Sequence, residues 1–195
     1  RGFEFSTDNS PSAVLLRQLL EQAGAAFRKN APKMFCFTGN DGLFLRENGI
    51  VADRYMLTAL LLRRRSPKTA AVPDDAPAYL EQLARQTGTE LKRYTHCPAT
   101  DSGEISQNRR LASQQLWISN RLFLAAASAV YLHESGESLS ALLTELPVLY
   151  RSAVDIQAPY DKKTWLLKRI SEEAGGQEDR TVREGIQIRC GDSGC

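Results

Sequence analysis

The chain has no apolar run near the roughly 20 residues needed to cross a bilayer, and its start, RGFEFSTDNS, lacks the basic, apolar and small-residue pattern of a leader. These absences predict a soluble, cytoplasmic protein with no membrane partner. Charge of one sign is also scarce: 25 basic residues stand against 23 acidic ones, a net charge of +2. A field that weak gives no ground for a nucleic-acid partner. The one dense basic cluster, LLRRRSPK at 61–68, falls where a helix ends, and cations there complement the helix dipole.

Close metal-ligand pairs are missing too. The cysteines Cys36, Cys97, Cys190 and Cys195 are scattered, and only His96 and His133 could join them. No C-x2-C pair of the zinc-binding kind occurs. The terminal CGDSGC reads as two unrelated thiols in a turn, and Cys36, between Phe35 and Phe37, as a buried core thiol. There is no G-x-S-x-G elbow, G-x-G-x-x-G or G-x-x-x-x-G-K-[ST], so serine nucleophile and nucleotide-cradle chemistry have no motif to rest on. His133 reads as a residue favoured near a helix C-terminus, and Trp117 and Trp165 as packing anchors.

What is present is ordinary globular texture, 42% hydrophobic and 25% charged over 195 residues, enough for one generous domain or two small ones. A helix is expected from Ser10 as cap and Pro11 at its first position to Gly24, with Val14, Leu15, Leu19 and Ala23 as its apolar positions. PKMFCF and LFLRENGIV read as strands, joined by the polar loop Thr38-Gly39-Asn40-Asp41-Gly42, with a turn at Glu47-Asn48-Gly49. A helix follows from Ala52, burying Tyr55, Leu57, Leu60 and Leu61.

TAAVP, a helix capped by Asp75 and stopped by Gly88, and TELKRYT then form a βαβ unit, which implies parallel strands. Cys97 to Arg110 reads as a polar stretch and SQQLWIS as a short strand. The clearest helix runs from Asn120 as cap to Gly136, with Leu122, Ala125, Ala126, Ala129, Val130 and Leu132 on its face. SLSALLTELPVLY is a further helix ending before Pro147. RSAVDIQAP is a short strand, DKKTWLLKRISEEAG a charged helix with Trp165, Leu166 and Ile170 inward, GGQEDRTV a loop and EGIQIRCGDSGC a strand with a turn.

The order of elements, with AAVPDDAPAYLEQLARQTGTELKRYT, GESLSALLTELPVLYRSAVDIQAPYDKKTWLLKRI and REGIQIRCGDSG, resembles the α-D-phosphohexomutase family of phosphomannomutase and phosphoglucomutase relatives. It is most similar to the mutase-like region fused to mannose-1-phosphate guanylyltransferase-type enzymes. The resemblance implies an α/β fold, a mixed sheet flanked by helices and incomplete at both ends. Residues 1–65 correspond to the latter half of the family's second domain, 66–150 to a shortened third and 151–195 to the start of the fourth. A chain beginning at Arg1 is expected to be processed or excised from a longer one.

The family's chemistry needs four sites. The phosphoserine lies in a first domain, which this chain is not expected to contain, and the phosphate loop lies beyond Cys195. The Asp-x-Asp-x-Asp-Arg magnesium loop is matched in position by Thr38 to Gly42, where Asp41 is the sole carboxylate and Asn40 is neutral. Mg²⁺ prefers several carboxylate oxygens in octahedral geometry. Asp41 is therefore expected to be a remnant ligand, and no cofactor is expected unless the loop still holds Mg²⁺. The sugar loop, Gly-Glu-x-Ser-Gly-His in the family, keeps Gly103, Glu104 and Ser106, which makes Glu104 and Ser106 the candidate sugar contacts.

These features imply a non-catalytic module, structural or sugar-phosphate-binding, in a sugar-nucleotide enzyme. Its partners would be a sugar phosphate, a second copy of the chain, or a fused nucleotidyltransferase domain. The alternatives are a fragment of an active phosphosugar mutase and an unrelated α/β binding module.

Overall fold

The structure, a computed structural model, describes residues 2–39, 42–95, 103–147, 159–173, 179–182 and 185–188. Its first sheet is mixed and has five strands: β1 (Glu4–Thr7), β2 (Ala26–Phe27), β3 (Lys33–Thr38), β4 (Gly42–Glu47) and β5 (Ile50–Asp53), in the order β2-β1-β3-β4-β5. β1 runs parallel to β2 and β3, whereas β3, β4 and β5 are antiparallel neighbours. The β4–β5 turn is Asn48-Gly49, both at positive φ (51° and 83°), as a two-residue hairpin loop requires.

Three helices cover one face of this sheet: α1 (Pro11–Gln22), α2 (Arg54–Arg65) and, between them, α6 (Arg121–Ser135). Beneath them the alternate strand residues Phe5, Phe35, Phe37, Leu43, Leu45 and Ala52 are buried. α2 is buried nearly all round, from Arg54 and Tyr55 through Leu62, because α3 (Tyr79–Thr87) and α7 (Leu139–Thr144) pack on it as well. The RRR cluster ends α2 as expected. Arg63 pairs with Glu145 at 3.3 Å, and Arg64 and Arg65 lie over the rings of Tyr131 and Trp117.

β6 (Thr69–Pro73) and β7 (Glu90–Tyr94) form the expected parallel pair, crossed over by α3 and stopped by Gly88 in the left-handed conformation. α4 (Gly103–Gln114) packs on both strands, and α5 (Leu116–Ser119) joins it to α6. The main apolar core runs from Phe5 to Leu146, and Ala71, Tyr94 and Ala112 form a second, small cluster. α8 (Tyr160–Glu173) and an antiparallel hairpin of β8 (Asp179–Val182) and β9 (Gly185–Ile188) complete the described elements. Among the described residues no helix is long and apolar enough to cross a membrane.

The structure corrects several expectations. α1 buries Ala13, Leu16 and Leu20, while Val14, Leu15 and Leu19 are about half exposed. The buried set at i, i+3 and i+7 is itself a valid helical face, and packing against the sheet selects it. On α6, Leu124 and Ser128 are buried and Val130 is exposed. Asp75 caps no helix; α3 begins after Ala78, and the Asp75 carboxylate accepts a hydrogen bond from the Tyr55 hydroxyl at 3.0 Å.

SQQLWIS is not a strand: it holds the end of α4 and all of α5, and Gln115, the non-helical residue between them, donates from its side chain to Thr69 O at 2.7 Å and accepts from Ala71 N at 3.0 Å. Trp165 is 64% exposed and Ile170 is also exposed, so neither anchors a core. Cys36 is half-buried rather than buried. DRTV is strand β8, not loop. The strand expected at 151–158 and the thiols of Cys97, Cys190 and Cys195 lie outside the described residues.

Candidate functional site

The loops that follow β1 and β3 emerge at the same end of the sheet, since these two strands are parallel. Ligands of open α/β sheets bind beyond the carboxyl ends of such strands. The N-termini of α1 and α6 arrive at this end, capped by Ser10, whose hydroxyl accepts from Ala13 N, and by Asn120, whose amide oxygen accepts from Leu122 N and Phe123 N.

Asp8 stands at the end of β1. One carboxylate oxygen accepts from Ser10 N at 2.9 Å and the other from Phe37 N at 2.5 Å, tying the β1–α1 loop to the last turn of β3. Burial raises its pKa, but hydrogen bonds from Ser10 and Phe37, together with the charge of Arg121, hold it below the usual carboxylate range. Arg121, the first residue of α6, donates to Gly39 O at 2.8 Å and to Ser12 Oγ at 3.0 Å, with its guanidinium 5.6 Å from the Phe37 ring centre.

The loop geometry demands its glycines. Gly39 has φ 51°, and a Cβ on Gly42 would sit 2.2 Å from Thr38 Oγ1 and 2.6 Å from Thr38 O. Asn40 and Asp41 lie outside the described residues. Around the loop, the Gly39 carbonyl accepts from a guanidinium and the Asp8 oxygens accept from backbone N–H groups. Among the described residues, which do not include Asp41, no group of three His, Cys, Asp or Glu could hold a metal.

Glu104 and Ser106 fall elsewhere. The segment expected to be a loop is helical from Gly103, so both side chains sit in the opening turns of α4 and are exposed. Glu104 faces β7: after its hydrogen-bonded neighbour Glu90, at 2.6 Å, it contributes to raising the Lys92 pKa. α4 is fixed to β7 by Asn108, which donates to Arg93 O at 2.9 Å, and by Arg109, which donates to Thr95 O at 2.9 Å. Arg93 in turn pairs with Glu81 and gathers the carbonyls of Pro73, Asp74 and Ala76. Glu104 and Ser106 thus ride on the two-stranded sheet and the Thr38–Gly42 loop on the five-stranded one.

Asp8 and Arg121 were not singled out from sequence. Asp8 follows a strand and precedes a cap, a position where turn residues are commonplace. Arg121 is brought to the loop only by the tertiary docking of α6. A cleft of about 110 Å³ lies at the opposite end of the sheet, between Phe3, Leu20, Ala23 and Val130, and is well below the roughly 300 Å³ at which small-molecule pockets begin.

No family model matches the sequence, and no curated protein matches it. Among solved structures, the chain is similar to a phosphoglucomutase/phosphomannomutase family protein from Burkholderia thailandensis, with a TM-score of 0.62 at 14% sequence identity. The match covers 98% of this chain and 52% of that one, so this chain spans about half the length of its structural neighbour. The chain accordingly has a phosphohexomutase-like α/β fold, with a mixed five-stranded sheet and helices packed on it.

Proposed function

We propose that this chain is a phosphohexomutase-like module that binds a sugar phosphate, or supports one bound by its neighbours, without carrying out phosphoryl transfer itself. The observation that carries this is the chemistry around the Thr38–Gly42 loop: a guanidinium holds the carbonyl of Gly39, and Asp8, whose carboxylate reaches the end of β3, is spent on backbone N–H groups. Phosphoryl transfer is catalysed almost entirely by positioning and charge stabilisation, which in phosphate-transferring sites falls largely to metal ions. A loop with one carboxylate supplies little of either.

Sugar contact is assigned to Glu104 and Ser106, both exposed at the start of α4; two positions apart on a helix they project on roughly opposite sides, so each would meet the ligand separately. A carboxylate accepts paired hydrogen bonds from neighbouring sugar hydroxyls. The module would work within a sugar-nucleotide biosynthesis enzyme, with a fused nucleotidyltransferase domain or a second copy of the chain as partner.

Titration of the protein with mannose-1-phosphate and glucose-1-phosphate, followed by calorimetry and by ³¹P NMR, tests this. Saturable binding that weakens about tenfold in Glu104→Gln, a loss of about 1.4 kcal/mol, with unchanged phosphorus signals over hours, is expected. Conversion to the 6-phosphate would overturn the non-catalytic assignment. Binding unaffected by Glu104→Gln and Ser106→Ala would remove the assigned sugar contacts.

A further inference from the structure

We propose that the outer face of α1 and α6 is a self-association surface, on which a second copy of this chain docks across a two-fold axis at Ala126–Ala127. Four large apolar side chains point away from the sheet there and are 46–52% exposed: Leu15 and Leu19 on α1, and Phe123 and Val130 on α6. Burial of Leu124, Ala125, Ser128, Ala129 and Leu132 fixes the sheet-facing side of α6. Phe123 and Val130 are seven residues apart, hence two turns along the opposite side and about 10 Å from each other. Single exposed apolar residues are ordinary, whereas a contiguous group marks an interaction surface.

The spacing on α6 selects the occupant. Phe123 lies three positions before Ala126 and Val130 three positions after Ala127, so the outer face reads large, small, small, large. Such a face is its own complement when two copies cross antiparallel. Each Phe123 then lies against Val130 of the other copy, and the alanines at the crossing let the helix axes approach to about 8–10 Å. The apolar cleft between Phe3, Leu20, Ala23 and Val130 opens beside that contact and gives the incoming ring a recess. Charge agrees with the same orientation. Glu134, exposed near the C-terminal end of α6, is brought to the N-terminal end of the partner copy's α6, where the helix dipole favours an anion. A parallel pairing would instead set the two Glu134 carboxylates against each other.

The area sets the strength. Helices of 12 and 15 residues offer a face about 20 Å by 20 Å, or about 400 Å² per copy. That is about half of the roughly 800 Å² per partner of a stable complex, so the dimer is weak and reversible, with a Kd of about 10⁻⁴–10⁻³ M. The inference deepens the reading in which the partner is a second copy, and it uses none of the residues assigned to the sugar.

Sedimentation equilibrium of the intact chain under reducing conditions, from about 10 µM to about 2 mM, tests it. The weight-average mass is expected to rise from 21.7 kDa toward twice that value and no further. Phe123→Glu is expected to weaken association at least about tenfold. Glu134→Lys should weaken it about threefold at low salt and have no effect in about 0.5 M NaCl. Val51→Glu, on the edge strand β5, should leave it unchanged. A wild-type chain that stays monomeric at about 2 mM, or a mass that keeps growing past the dimer, would overturn the proposal, and neither result needs a variant to fold. So would a loss in Val51→Glu as large as that in Phe123→Glu. Failure to bind a sugar phosphate would overturn the functional reading and leave this result untouched.

Discussion

Replacing Asp8 by alanine removes the acceptor for two backbone donors at once, Ser10 N at 2.9 Å and Phe37 N at 2.5 Å. Hydrogen bonds to a charged group contribute about 1.5–3 kcal/mol each, and a buried donor left without a partner costs about 1–3 kcal/mol. Water can replace the carboxylate at Ser10, in the half-buried loop, but less readily at Phe37, which is 7% exposed. The expected loss is therefore about 2–3 kcal/mol, which corresponds to about 5–10 °C in Tm for a chain of this size. Urea denaturation at pH 7 measures it directly.

The pH dependence supplies a second check on the same residue. The folded-state pKa of Asp8 is lowered, so its contribution is fully present above the unfolded value of about 3.9 and is lost as pH falls through the lower folded value. The gap between wild type and Asp8→Ala should accordingly be flat above about pH 5 and close in stronger acid. Asp8→Asn, which keeps one acceptor oxygen but no charge, should fall between the two. A difference below about 0.5 kcal/mol at pH 7, or a gap that widens in acid, would refute the assignment of these hydrogen bonds.

Other substitutions probe the remaining elements. Gly42→Ala, which drives a Cβ to 2.2 Å from Thr38 Oγ1, should destabilise by about 1–3 kcal/mol and shift the amide signals of the β3–β4 hairpin. Lys33→Met removes the partner of Glu47, whose side chain is only 6% exposed and whose carboxylate also accepts from Leu139 N; a loss of about 2–4 kcal/mol by chemical denaturation is expected. Leu16→Ala on α1 should cost about 2–5 kcal/mol, because Leu16 is fully buried. Leu15→Gln, half exposed on the same helix, should stay within about 0.5 kcal/mol, and equal costs for the two would contradict the face assigned to α1.

Local signals carried much of the fold. Pro11 after Ser10, Gly88, Asn120 and Gly136 mark helix ends where the structure has them, and Asn48-Gly49 marks the hairpin. The βαβ pairing of β6 and β7 followed from the order of strand, helix and strand. What periodicity left open was decided by tertiary packing. α1 offers two apolar faces, and only the sheet beneath it selects Ala13, Leu16 and Leu20.

The polar run after Cys97 looks like a loop by composition, yet Gly103–Gln114 is a helix that packs on β6 and β7, with Asn108 bonded to β7 and Arg109 to Thr95 just after it. The candidate site divided in the same way. Asp41 and Glu104 drew notice by position within motif-like strings. Asp8 and Arg121, 113 positions apart in the sequence, meet only because α6 inserts between α1 and α2.

The proposal that the stretch from Thr38 to Gly42 binds no divalent ion is tested most directly by calorimetric titration of MgCl2 into the intact chain, with and without glucose-1-phosphate. No saturable heat is expected in either titration. A single site with a Kd below about 0.1 mM, equivalent to about 5.5 kcal/mol of binding free energy, that disappears in Asp41→Asn would contradict the account.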